Sequence, residues 1–445
     1  MNICFHQLFS IRLWTGIFGF LSTLVVSAQH VEPLTLEQAL VAVEKGNAQI
    51  RVSEIERRIS AADHRSTDAV FLPQVSLGYT AMVTDNPLNA FGFLLQQRNV
   101  SQADFNPAVL NHPSAADLYN VSLDVKMPIF NLDMIYARKG AKAMEKVNAH
   151  KAEYTRRYIR FETQKAYTQL QFAHCAKSVL ELALSDVRRI HETVLSFEKQ
   201  GLVQRSDVLN AQVQVNTIEA ALANAESNIT SASEGLALLM GEKQVEGMVY
   251  ATDSLMPLAS SADELVFSPH RADLRALEAA SEATDWMARS AQSAFIPKVN
   301  AFGTFQLNNG KPFAFKNEAY MMGINLTWNL FQGTQNIHKT RSALLKSEKM
   351  REELKNRTDQ IRTEVDKNRR DLVVSDFEIR KHGMSVAQAE EALRIIRHRF
   401  DEGLASTTDL LQAQAQLSQQ RLGRAQAVMQ HNIAHYYRQL ITSSH

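Results

Sequence analysis

Cysteine is nearly missing from this 445-residue chain: Cys4 and Cys175 are the only two. A fold with so few thiols owes nothing to a disulfide framework. A charge excess is missing too, with 48 Lys and Arg against 47 Asp and Glu. That balance argues against a nucleic-acid-binding protein, which needs a strong basic surplus. No apolar run after residue 28 is long enough for a membrane helix, which takes roughly 20 residues. Phosphate loops are absent, because Gly140, Gly235, Gly241 and Gly247 stand alone. Nor is there a nucleophile–base motif, so no catalytic residue and no cofactor is expected. Metal sets are equally scarce. His174 and Cys175 are adjacent and point apart on a helix. His431 and His435 stand at i and i+4 without the acidic residue of a metalloprotease, and read as surface histidines.

Proline is rare and unevenly placed. All ten lie at 33, 73, 87, 107, 113, 128, 257, 269, 297 and 312, leaving residues 129–256 and 313–445 without any. Tracts of that length exceed any ordinary globular helix, which excludes a string of small α/β domains. At 45% apolar and 21% charged residues the chain is not disordered either.

At the N-terminus, Arg12, the apolar run from Leu13 to Val26 and the small residues Val26-Ser27-Ala28 read as a signal peptide over residues 1–28. Cys4 falls inside that segment, and no cysteine stands directly after the cleavage site to carry an N-terminal lipid.

The remainder is duplicated. Phe71-Leu72-Pro73-Gln74-Val75 echoes Phe295-Ile296-Pro297-Lys298-Val299, and the residues ending at Phe130 echo those ending at Phe331. Gly201-Leu202 with Asp207-Val208-Leu209-Asn210-Ala211-Gln212 echoes Gly403-Leu404 with Asp409-Leu410-Leu411-Gln412-Ala413-Gln414. Each unit is a helix, two strands, a very long helix, a Gly-Leu turn and a second long helix. The helices carry a period of seven: Ile159, Ala166, Ala173, Leu180, Val187 and Val194, then Val365, Leu372, Ile379, Val386, Leu393 and Phe400, with Ala415, Leu422, Met429 and Tyr436 on the return. A strict heptad winds helices into a left-handed supercoil.

Four segments instead alternate with period two. Val75, Leu77, Tyr79, Ala81 and Val83 share a face, as do Tyr119, Val121, Leu123, Val125 and Met127. Val299, Ala301, Phe305 and Leu307 do the same, with Phe302 breaking the polar row, and so do Met322, Ile324, Leu326, Trp328 and Leu330. Each is about as long as a transmembrane β-strand, roughly 9–11 residues. Aromatics cluster near strand ends. A soluble sheet with one wet face, or a cytosolic coiled-coil rod, are the plainer readings. Four strands cannot close a barrel, and lipid tolerates no open edge, so a membrane reading needs several copies. Two copies give eight strands and three give twelve; the arithmetic permits both. The connection from Thr84 to Asp117 reads as a loop, on Pro87, Pro107 and Pro113, with Phe91, Phe93, Leu94 and Leu95 expected to tuck onto the barrel mouth or a neighbour.

Taken in order, Leu34-Thr35-Leu36-Glu37-Gln38-Ala39-Leu40, Leu72-Pro73, Pro128-Ile129-Phe130 and the paired Gly-Leu turns resemble the TolC-type outer-membrane channel family over essentially all of residues 29–445. The resemblance implies a homotrimer with a shared twelve-stranded barrel in outer-membrane lipid and a long α-helical periplasmic tunnel. It implies the exit channel of a tripartite efflux or type I secretion system, docked to a periplasmic adaptor and an inner-membrane pump. The expected divisions are a periplasmic helix at 29–70, strand pairs at 71–131 and 295–331, and long hairpins at 132–241 and 332–445. An equatorial linker at 242–268 and a short helix at 269–294 separate the repeats. In that family the turns form the tip gripped by the adaptor, so Gly201, Leu202, Gly403 and Leu404 become docking residues. By position Asp409 matches a ring carboxylate and Gln412 the site of a second. Asp207 matches a gate carboxylate whose usual basic partner falls on Ala405, leaving Arg205 as the nearby candidate. Phe400 replaces an aromatic hydroxyl. Both aspartates also sit where a carboxylate caps a helix N-terminus. The competing reading is a periplasmic scaffold or adaptor rod without a pore.

Overall fold

The computed structural model describes residues 30–242, 248–259 and 268–442; the signal-peptide reading of residues 1–28 lies outside them. In chain order the elements are β1 (His30–Pro33), α1 (Leu36–Gly46), α2 (Ala48–Ser66), β2 (Gln74–Thr84), α3 (Pro87–Gln96), α4 (Pro107–Asn111), β3 (Ala116–Phe130), α5 (Leu132–Lys199), α6 (Arg205–Met240), β4 (Met248–Ala251), α7 (Ala272–Gln292), β5 (Lys298–Asn309), β6 (Asn317–Thr327), α8 (Gln335–Asp401) and α9 (Thr407–Thr442). The 68 residues of α5 extend about 100 Å at 1.5 Å each.

The helices form one wall. α5 packs on α2 and α6 to one side and on α7 and α9 to the other, and α8 closes against α7 and α9. The shorter helices stand end to end in pairs. At the first junction the start of α2 meets the end of α6: Gly46 and Gly241 touch backbone to backbone, and Asn47 Nδ2 donates to the Leu239 carbonyl at 2.8 Å. At the second, α7 meets the end of α9. There the buried Arg271 donates to the Ile441 carbonyl at 3.3 Å and to both oxygens of Asp273 at 3.0 and 2.9 Å. The two repeats therefore solve one joint differently, by close backbone approach and by a compensated buried ion pair.

The heptad seams of α5 and α8 are core: Ile159, Val187 and Val194, like Val365, Leu393 and Phe400, are buried. The seam expected on α9 is not. Ala415 is exposed, and Leu422, Met429 and Tyr436 are only half-buried. The inward rows run instead through Leu410, Leu417 and His431 and through Gln414, Val428 and Asn432. Polar residues occupy core positions there, so counting apolar residues selects the wrong row. His431 in particular is no surface histidine. It is buried, 3.2 Å from Ser375 Oγ and 3.2 Å from the Leu258 carbonyl. Among the described residues no His, Cys, Asp and Glu group could hold a metal ion.

Residues 252–258 run as a belt across the helices. Asn432 accepts from the Leu258 N–H at 2.9 Å and donates to the Met256 carbonyl at 2.8 Å. The belt continues from β4, which pairs in parallel with β1. Tyr167 and His174 of α5 hold this layer through the Leu34 and Tyr250 carbonyls, at 2.9 and 2.8 Å.

The remaining strands form an antiparallel sheet in the order β2-β3-β5-β6, with β2 and β6 at free edges. Its register lines up Val75, Val125, Gly303 and Met322 across one row, and Leu77, Leu123, Phe305 and Tyr320 across another. The intervening rows read Ser76, Asp124, Thr304, Met321 and Thr80, Asn120, Asn308, Asn317. One face is thus apolar and the other largely polar, as the alternation required. Phe302 breaks the polar row because its cross-strand partner is Gly323, whose missing side chain leaves the ring room. Two details differ from expectation. β6 ends at Thr327, so Trp328 and Leu330 lie past the strand, and the Trp328 indole donates to the Phe295 carbonyl at 3.0 Å. Leu326 is consequently next to the strand end, and Met322 is the midpoint of the apolar face. The connection from Thr84 to Asp117 is also no plain loop. Pro87 and Pro107 open α3 and α4, each behind an asparagine cap, because proline suits a first helical turn as well as a loop. No described helix is long and apolar enough to cross a membrane.

Candidate functional site

At the far end of the helical wall the two Gly-Leu turns share one geometry. Gly201 and Gly403 each take φ +73°. The Gly201 N–H bonds the Glu198 carbonyl at 2.9 Å and the Leu202 N–H the Phe197 carbonyl at 2.9 Å. Their counterparts are Gly403 to Phe400 at 3.0 Å and Leu404 to Arg399 at 2.7 Å. This is the paired bond pattern of a helix closed by a left-handed residue, and glycine takes that conformation without penalty. In such closures an apolar residue after the glycine often folds back on the helix. Here it does not: Leu202 is 66% exposed and Leu404 68%.

Behind the turns a core joins both hairpins. Ile190 and Val194 of α5, Val208 of α6, Leu393 and Phe400 of α8 and Leu410 of α9 are buried in it, with Ala405 packed against them. Phe400 lies 5.7 Å from Phe197, ring to ring. A phenolic hydroxyl at 400 would be buried there, which accounts for phenylalanine at that position.

The two aspartates are helix caps in the protomer. Asp409 accepts from the Ser406 N–H at 3.0 Å and Ser406 Oγ at 2.7 Å, while Ser406 Oγ accepts from the Asp409 N–H at 3.1 Å. These Ser406 hydrogen bonds, the hydroxyl first, hold the Asp409 carboxyl below the usual carboxylate range. Asp207 accepts from the Gln204 N–H at 3.0 Å. Arg205 reaches back across the turn to Glu198, at 4.0 Å, rather than toward Asp207. Gln412 is exposed one turn beyond Asp409.

Sequence reasoning passed over the link between the hairpins. Asp186 of α5 bonds Arg189 at 2.7 Å, receives the buried Gln414 amide from α9 at 3.2 Å and faces Arg397 of α8 at 3.8 Å. On the sequence Asp186 and Arg189 look like an ordinary surface pair at i and i+3, so nothing marked it.

The belt fixes the two faces of the wall. It touches α9 at His431 and Asn432, while Gln430, Ile433 and Tyr437 line a groove between α8 and α9. Three heptads before those three residues stand Asp409, Gln412 and Gln416.

Comparison with known proteins agrees with this architecture. The curated alkaline protease secretion protein AprF of Pseudomonas aeruginosa is 21% identical over 313 residues, 68% of this chain. The match spans 64% of that relative's length. Among solved structures, the outer membrane protein VceC of Vibrio cholerae superimposes with a TM-score of 0.78 at 19% identity, covering 92% of this chain and 97% of that one. The Campylobacter jejuni CmeC outer membrane channel gives 0.81 at 14% identity, covering 92% and 85%. The sequence profile of the outer membrane efflux proteins matches residues 39–242 and 269–435, which takes in both repeats. With both repeats inside that match, the chain belongs to the outer membrane efflux protein family.

Proposed function

We propose that the protein is the outer-membrane exit duct of a tripartite efflux or type I secretion system. It passes small molecules or proteins passively outward from a periplasmic adaptor and an inner-membrane pump. The observation that carries this reading is the sheet β2-β3-β5-β6. It has an exposed apolar face, a polar opposite face and two free edges, and it continues directly into a helical wall. In lipid those edges must pair, so β6 of one copy meets β2 of the next, and three copies close twelve strands. The wall has matching edges, α2 with α6 on one side and α8 on the other. A pore-less periplasmic rod gives the apolar sheet face no role. In the closed tunnel the belt lies outside. The heptad count then supports Asp409 and Gln412 as pore-facing residues, with three Asp409 carboxylates in a ring and Gln412 as a neutral second tier.

Two experiments test the reading. Purified protein in planar bilayers should conduct as a trimer and prefer cations. Asp409→Ala should leave conductance and trimer intact while reducing cation preference and block by divalent cations, since a carboxylate ring focuses the field. Ser406 holds the Asp409 carboxyl below the usual carboxylate range in the protomer, while three carboxylates in one ring raise one another, so the preference should be present at neutral pH and fall on acidification. Unchanged selectivity in Asp409→Ala would leave that carboxylate a helix cap alone. Second, Met322→Arg at the middle of the apolar face should cost about 2–4 kcal/mol in urea titrations of vesicle-inserted protein. Leu326→Arg, beside the strand end, should cost about 0–1 kcal/mol. Met321→Arg on the other face should be tolerated. Equal costs at Met321 and Met322 would refute the barrel.

A further inference from the structure

A groove of about 430 Å³ runs between α8 and α9 where Phe161 of α5 forms its floor. It opens away from the belt, since Gln430 and Tyr437 lie about 160° and 140° around α9 from Asn432, with Ile433 about 100° away at their edge, at about 100° per residue. On α5, Phe161 likewise turns away from Tyr167 and His174, which hold the belt layer. In the duct proposed above, on which this inference rests, that face is the inside of the tunnel.

The groove's polar groups are mostly acceptors. Glu364, Asp371 and Glu378 enter it at successive heptad positions of α8. Glu364 is already engaged by Arg357 at 2.9 Å and by the Tyr437 hydroxyl at 3.1 Å. Asp371 and Glu378 are exposed and carry no ion pair among the described residues. Lys367 is the positive group on the rim. One turn before Asp371, between it and Glu364, sits Asn368, only 2% exposed. Its Nδ2 donates to the Ala434 carbonyl at 2.9 Å, but its Oδ1, which is buried, has no partner among the described residues. A buried amide oxygen left unpaired is unfavourable, so it offers an acceptor to an incoming donor. Apolar surface completes the groove. Phe161 and Tyr437 lie 5.4 Å apart, ring to ring, and Val374 and Ile433 line the sides. Burial, then the Glu364 carboxylate, pushes the Tyr437 phenol up to about 12, so it stays neutral.

We propose that this groove binds organic cations, protonated amines with an aromatic or aliphatic body, as they pass along the tunnel wall. The N–H donors of the amine answer Asp371, Glu378 and Asn368 Oδ1, and the body lies on Phe161 and Tyr437, where a cation also gains from the ring faces. A hydrated inorganic ion meets the carboxylates but makes no use of that floor. With three copies, three such grooves surround the tunnel midway between tip and barrel.

Ethidium is a suitable probe, with binding read as fluorescence anisotropy on the purified trimer and conductance read on the same preparation. The double variant Asp371→Asn/Glu378→Gln should weaken ethidium binding at least tenfold with conductance retained. Asp376→Asn/Glu391→Gln removes the same two charges from α8 outside the groove and should change binding less than twofold. Magnesium at matched ionic strength should displace ethidium poorly. Equal weakening by both double variants would assign the binding to the diffuse field of the tunnel and overturn the groove. Efficient displacement by magnesium would overturn the organic-cation assignment. A protein that conducts but binds no ethidium overturns the groove and leaves the duct standing; one that does not conduct overturns both.

Discussion

Gly241→Ala should lower the stability of the folded protomer by about 2–5 kcal/mol, although it adds one methyl group. Two independent costs meet at that residue. Gly241 holds φ +74°, and an alanine there pays about 1–2 kcal/mol for the left-handed conformation. Its Cβ would also drive into the Gly46 carbonyl across the joint between α6 and α2. Neither side of that contact can yield by changing rotamer, because both are backbone, and overpacking of this kind costs about 1–3 kcal/mol. Gly46→Ala meets the reciprocal obstacle, the Met240 carbonyl, without the left-handed φ, and should cost only the overpacking part, about 1–3 kcal/mol. The comparison that isolates the effect is Gly235→Ala, in the same helix. A Cβ at 235 meets nothing within 4 Å, so alanine there should stabilise by about 0.5–1 kcal/mol through helix propensity. Circular dichroism melts of the detergent-solubilised protein read all three. If Gly241→Ala melts with the wild type, the end-to-end joint does not bear load.

Much of this architecture was legible in the sequence, for identifiable physical reasons. Period two and period seven are imposed by strand and supercoil geometry, so the strands and α5 emerged with their faces and nearly their ends. The duplication located both turns. What stayed hidden is what periodicity does not encode. The inward row of α9 carries Gln414, His431 and Asn432, each buried with a hydrogen-bond partner, and an apolar count steps over them. Pro87 and Pro107 signal a turn or a helix start equally well, and only the asparagine cap before each decides. The joints at Gly46–Gly241 and Arg271–Ile441 bring together residues nearly 200 and 170 positions apart, beyond any local pattern. At the tip, an apolar residue after a turn glycine suits closing its own turn as well as facing outward, and the sequence of Leu202 and Leu404 does not separate the two. Their exposure, and the separate core behind them, decides for the outward position.

Leu404→Asp should abolish export while leaving trimer assembly, barrel insertion and single-channel conductance unchanged. Leu404 contributes nothing visible to the fold. It is 68% exposed, and the turn is held by backbone bonds that survive any side chain. In the proposed docking role its contribution would come from what covers it. Fully burying a leucine contributes about 1.5–3 kcal/mol. Three copies at the tip of a trimer therefore supply at least about 4.5 kcal/mol to a partner that packs on all three. At 1.4 kcal/mol per tenfold that is more than about a thousandfold in affinity. Aspartate forfeits this and adds the cost of burying a charge without a partner. Leu202→Asp should act in the same way on the other set of turns, and Leu404→Met, which restores apolar area, should restore export. Reporter efflux in cells, pull-down of the periplasmic adaptor and bilayer conductance of the same variant separate the outcomes. Lost export with lost adaptor capture and normal conductance is the docking result. Lost conductance would make Leu404 a structural residue, and normal export with normal adaptor capture would remove the two leucines from the docking surface.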